Sequence, residues 1–145
     1  MEQNLIESSQ QRLFGSLNER GIINDLMKTG FTDIMSLFEI IANSIDASAS
    51  NIKFHCKKQN IMIIDDGVGM DFDKAVDMWD LCRENHTDEI SIGISGKGIK
   101  GATTKLSRKQ LVNVFTSDEN YKLKISIPWN IIFKEGKYTG MIDIK

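Results

Sequence analysis

Glu39, Asn43 and Asp46 stand four and three residues apart in a segment that is otherwise almost entirely apolar. At about 100° per residue they fall within a helical strip roughly 60° wide, so their side chains point the same way. Carboxylates are rarely buried unless paired or bound to something. Such a strip suits a cleft that holds water, a cation or a polar ligand. It equally suits the solvent face of an ordinary amphipathic helix, and this segment alone leaves both readings open.

A second group follows at Asp65-Asp66-Gly67-Val68-Gly69-Met70, directly after the apolar run Ile61-Met62-Ile63-Ile64. The run has the pattern of a central strand buried on both faces, and it ends in a carboxylate. Its two glycines let another molecule approach the main chain closely. An ordinary strand-to-helix turn, with Asp71 capping the next helix, explains Gly67 and Asp71 but leaves Asp65 without a purpose.

The third group is Gly93-Ile-Ser-Gly96-Lys97-Gly98-Ile99-Lys100-Gly101, glycine-rich at first and then free of helix breakers. A loop that feeds a helix N-terminus offers free N–H groups and the positive end of a dipole to an anion, and Lys97 and Lys100 add charge. A plain surface loop is the alternative. Gly96, Gly98 and Gly101 formally match the dinucleotide fingerprint, but the acidic residues about twenty positions on, Asp118 and Glu119, fall in an expected hairpin turn. The Walker A pattern fails because Ile99 occupies the place of its lysine.

The elements that must position these groups can be read in order. Helices are expected at residues 9–20 and 23–28, then a helix at 31–47 with so many apolar residues that it reads as buried nearly all round. A half-buried strand at 51–57 places Cys56 on its apolar side, and the run at 60–65 forms the next strand. Helices at 72–81 and 98–107 flank the glycine-rich segment, and strands at 110–116, 121–129 and 137–144 close the chain. Turns are expected at 117–120 and 134–137. Pro128 marks an edge or bend, and Trp129 reads as core. The order argues for an α/β (α+β) two-layer sandwich, with a mixed, mostly antiparallel sheet and helices on one face.

Composition bounds the rest. With 145 residues, 41% hydrophobic and 26% charged, the chain is expected to fold as one domain, 1–145, burying roughly two-thirds of its unfolded surface. A formal charge of -2 and a pI near 5.7 argue against extensive contact with nucleic-acid phosphates, leaving nucleic acid at most an indirect partner. Cys56 and Cys82 lack zinc spacing and read as reduced thiols in or near the core. His55 and His86 complete no metal or triad pattern. No apolar segment approaches the ~20 residues that span a bilayer, and the polar start Met-Glu-Gln-Asn is unlike a secretory signal. The expected location is cytoplasmic, or nuclear in a eukaryotic or viral setting.

Taken together, Glu39-x-x-x-Asn43-x-x-Asp46-Ala47, Asp65-x-Gly67-x-Gly69-Met70 and the glycine-rich segment before a helix resemble the nucleotide-binding domain of the GHKL superfamily. That group joins gyrase B subunits, heat-shock chaperones, MutL proteins, histidine kinases and the MORC ATPases, with a Bergerat-type ATP-binding fold. The wording of residues 92–101 looks closest to the MORC-like branch. The resemblance implies ATP and Mg²⁺ as ligands and assigns roles by position. Glu39 matches the general base that activates water, and Asn43 the magnesium ligand. Asp65 matches the adenine reader, with Gly67, Gly69 and Met70 along the base. Gly93, Gly96, Lys97, Gly98, Ile99 and Lys100 match the phosphate lid. Asp46 and Ala47 take supporting places.

Two departures qualify the match. Met141 stands where many members have a threonine that helps to hold adenine through water. Gyrase and MutL relatives draw a phosphate-contacting lysine from a following domain, so here Lys97 or Lys100 replaces it, a protein partner supplies it, or it is missing. The implied function is slow, lid-gated ATP hydrolysis that switches binding to a partner protein. The alternatives are a small stand-alone protein serine kinase of the anti-sigma type and a nucleotide-sensing module that does not turn over. The likeness also implies an ATP-dependent homodimer, with residues 1–30 as a partner or dimer contact.

Overall fold

The structure is a computed structural model and describes residues 18–28, 30–80 and 97–144. The elements run α1 (Glu19–Met27), α2 (Asp33–Asp46), β1 (Ile52–Lys57), β2 (Asn60–Asp65), α3 (Phe72–Trp79), α4 (Lys97–Leu106), β3 (Leu111–Ser117), β4 (Lys122–Pro128), α5 (Trp129–Glu135) and β5 (Met141–Ile144). The helix expected at 9–20 lies mostly outside the described residues, as do Cys82, His86, Gly93 and Gly96.

Local chemistry sets the helix starts. Asn18, Thr32 and Asp71 cap α1, α2 and α3, each accepting a hydrogen bond from the backbone N–H three residues on, at 3.0, 3.2 and 2.7 Å. Pro128 ends β4 and opens α5, so the expected bend is real. The helix after it was not expected. The segment at 134–137 is the end of α5, closed by Gly136 in the left-handed conformation.

The strands form two antiparallel sheets, β1-β2 and β3-β4-β5. In β4, Leu123, Ile125 and Ile127 are at most 2% exposed and alternate with partly covered neighbours, the signature of one buried face. They meet Ile23 and Leu26 of α1, Ala75 and Trp79 of α3, and Trp129 and Ile132 of α5 in one cluster. Trp129 is 0% exposed, as its core reading requires. Arg20 donates to the Glu135 carbonyl at 3.0 Å and the Tyr138 N–H donates to Glu19 at 3.1 Å, tying α1 across the end of α5.

Three expectations need correction. The helix α2 is not buried all round: Ile34 is 66% exposed and Phe38 65%, while Ser36, Glu39 and Ser44 are buried. It turns Glu39 inward, where Gly98 of α4 packs on its carboxylate, and Ser44 toward Asp65, while Asp46 stays exposed. Nor is β2 covered on both faces. It pairs with β1 in a two-stranded sheet, and Ile61, Met62 and Ile64 are 43 to 59% exposed. Cys56 sits on that open hairpin and is exposed, a free thiol outside any core.

Candidate functional site

The chemistry-bearing residues converge through α2. Its register places Glu39, Asn43 and Ser44 on the sides that face α4 and the end of β2. Glu39 is only 9% exposed. Gly98, in the first turn of α4, packs directly on the Glu39 carboxylate, so a Cβ there would overlap Glu39 Oε1. Asn43 Nδ2 donates to the Glu39 carbonyl at 2.8 Å and lies 3.5 Å from Glu39 Oε1. With its amide nitrogen so committed, the Asn43 side-chain oxygen is the atom left to face a cation or solvent.

Toward the C-terminal end of α2, Ser44 Oγ donates to Asp65 Oδ2 at 3.0 Å, and the Gly67 N–H donates to Asp65 Oδ1 at 3.0 Å. Both carboxylate oxygens are thus oriented. Val68 N–H donates to the Ala47 carbonyl at 2.9 Å, and Gly67 packs on the same carbonyl. Ala47 therefore supports the turn after β2, whereas Asp46 ends α2 at an exposed position.

The remaining expected residues are placed differently. The Met70 side chain packs against the hydrophobic cluster, as does Ile99. Lys100 is 2% exposed and its Nζ donates to the Met78 carbonyl in the last turn of α3, at 2.8 Å. That carbonyl end of a helix is a favourable seat for an ammonium. Lys97 is described only as the first residue of α4. The structure thus joins Glu39, Asn43 and Gly98 around the middle of α2 and Ala47, Asp65 and Gly67 around its C-terminal end. An open cleft of about 480 Å³ beside Asp71, Asp118 and Tyr121 is lined by neither Glu39 nor Asp65.

Three participants escaped the sequence reading: Ser44, Asp66 and Thr116. Ser44 could have been noticed as a hydroxyl on the flank of an apolar helix beside Asn43. Asp66 accepts from the Ser50 and Asn51 N–H groups at 2.7 Å each and from Asn51 Nδ2 at 2.8 Å. The Asn51 side chain, and then these backbone donors, hold its carboxyl below the usual aspartate range. A lowered folded pKa stabilises the fold above the unfolded value, about 3.9, and that contribution is lost as pH falls through the lower folded value. Asp66→Asn should therefore flatten the fall in stability of the wild type below about pH 4. Urea unfolding of both proteins across that range checks this, and parallel pH curves would refute it.

The α2–α4 pair is also tied at its far end. Arg108 donates to both oxygens of Asp33 at 2.8 Å and to the Lys105 carbonyl at 3.2 Å, joining the start of α2 to the end of α4. Because Asp33 pairs with the end of α4 and Glu39 with its start, the two helices run antiparallel. Arg108 and Lys109 adopt the left-handed conformation, φ 54° and 62°, to make this connection.

A family model described as Histidine kinase-, DNA gyrase B-, and HSP90-like ATPase matches residues 34–142, from α2 into β5. The chain belongs to that family. No curated protein matches it in sequence. Among the described residues no helix is long and apolar enough to cross a membrane.

Proposed function

We propose, from that membership and the arrangement along α2, that the chain binds ATP between α2, the turn after β2 and the start of α4, and hydrolyses it slowly. The observation that carries the reading is the pairing of a largely buried carboxylate, Glu39, with the glycine-bearing first turn of α4. A helix N-terminus draws phosphate, and a carboxylate held beside it is placed to take a proton from an attacking water. Asn43 would hold magnesium through its side-chain oxygen. A hard cation of this kind takes oxygen donors and keeps several of its waters, so one neutral protein ligand would fit it. When bound, magnesium would neutralise charge on the phosphates.

The other residues act by position. Asp65, oriented by Ser44 and Gly67, would accept a hydrogen bond from the adenine amine, which disfavours guanine. Gly98 brings backbone close to Glu39, leaving no side chain between base and phosphate. Lys97 and Lys100 are the lysines nearest in sequence to this turn. Adenine binding and phosphoryl transfer would then rely on positioning and charge stabilisation. The physiological role we propose is a nucleotide-dependent switch for a protein partner, and the wording of residues 92–101 favours the MORC-like branch.

One observation favours a second reading. Lys100, a residue expected to meet phosphate, donates to Met78 on α3. If it keeps that bond with nucleotide present, the chain is a nucleotide sensor that binds without turnover.

A thermal-shift titration with Mg-ATP tests the core of the proposal. Ligand at a hundredfold its dissociation constant should stabilise the fold by about 2.7 kcal/mol. Asp65→Asn should lose most of that gain, because its amide presents a donor where the adenine amine needs an acceptor. No stabilisation of the wild type would overturn the assignment.

A further inference from the structure

We infer that Thr116 is a positioning residue for adenine recognition, acting through the backbone of the turn that carries Asp65. This rests on the ATP-binding reading and adds a residue to it. In β3, Val112, Val114 and Thr116 are the more covered members of an alternating strand, and the two valines pack against the hydrophobic cluster. A hydroxyl at the end of an apolar row requires a partner. Thr116 Oγ1 has one: it accepts a hydrogen bond from the Met70 N–H at 2.9 Å, across 46 residues of sequence.

A second contact reinforces the first. Gly69 adopts φ +73°, and a Cβ there would overlap the Ser117 carbonyl oxygen and lie 2.8 Å from its carbon. The turn therefore rests on the last two residues of β3, by one hydrogen bond and one close backbone approach. Its other side rests on Ala47, the residue after α2. The turn is wedged between α2 and β3. Ser44 and Gly67 fix where the Asp65 carboxylate points relative to α2, and Thr116 fixes where the glycine turn beside it lies relative to the three-stranded sheet. A base held at Asp65 is read by both together, so releasing the turn from β3 changes which base edge fits.

Thr116→Val keeps the shape and β-branching of threonine but removes the acceptor, whereas Thr116→Ser keeps it. The test measures ATP and GTP dissociation constants and steady-state kinetics on the full chain, with hydrogen exchange at the Met70 amide. The valine variant should bind ATP about tenfold more weakly, a loss in the range of one hydrogen bond whose partly buried donor is left unmet. It should also narrow the preference for ATP over GTP, with the loss falling mainly on KM, and should speed exchange at Met70. Serine should restore all three. A general loss of stability would not alter base preference, so an unchanged ATP-to-GTP ratio or an unchanged Met70 exchange rate in Thr116→Val overturns the inference. If the wild type binds neither nucleotide, the ATP reading itself fails, and Thr116 has no base to position.

Discussion

Glu39→Gln should lower the rate of ADP formation by about 10²- to 10⁴-fold, the range that a positioned general base contributes, while leaving nucleotide affinity within a few-fold. Glutamine has nearly the same shape, keeps an oxygen within reach of Asn43 Nδ2, and can still lie against Gly98. What it loses is the ability to take a proton from water. Glu39→Ala should fail equally in turnover, but it also opens space beneath α4, so the glutamine variant is the cleaner comparison. Single-turnover hydrolysis and Mg-ATP thermal shifts on the same preparations separate chemistry from binding. Hydrolysis of ATP by Glu39→Gln at the wild-type rate would remove Glu39 from the mechanism. Absent turnover in the wild type, with stabilisation by Mg-ATP intact, would select the sensor reading.

Trp129→Ala should cost about 3–5 kcal/mol, the range for deleting a buried aromatic side chain. Trp129 is 0% exposed and its ring centroid lies 6.1 Å from that of Phe133 and 6.0 Å from that of Tyr138. The position joins β4 to α5 and packs with residues of α1 and α3, so the void cannot be filled from one direction. Against a total stability of roughly 5–15 kcal/mol, the loss leaves little margin. Trp129→Phe should be much milder. Its indole N–H is buried with no hydrogen-bond partner among the described residues, so phenylalanine removes volume but breaks none of the described hydrogen bonds. Urea unfolding monitored by far-UV circular dichroism gives both values. Equal costs for the two substitutions would mean that packing at this position is not what stabilises the fold.

The candidate site left clearer marks in the sequence than the packing around it did. Glu39, Asn43 and Asp65 were legible because a helical period and a carboxylate at a strand end are local patterns. Ser44 and Thr116 were not, since a hydroxyl that orients a group 21 or 46 residues away leaves no local trace. The orientation of α2 was misread for a related reason. Hydropathy assigns the apolar side to the interior, but here the polar strip meets α4, with Gly98 against Glu39. Hydropathy has no term for that contact. The sheet strands were found to within a few residues, while α5 was absorbed into a strand and a turn. Seven residues rich in Trp, Ile and Phe after a proline do not distinguish a short helix from a strand by periodicity.

The two ends of the proposed site are set by one rigid body. Glu39 projects from α2 directly, and Asp65 is steered by Ser44 of the same helix. Five residues of α2 separate Glu39 from Ser44, which at 1.5 Å per residue is about 7.5 Å along the axis. Of the distance between the proposed hydrolytic and base-reading ends, this part is a fixed length of helix that loop motion does not stretch. In the proposed site, a nucleotide with a shortened phosphate chain and its base at Asp65 should therefore leave Glu39 without a phosphate to act on.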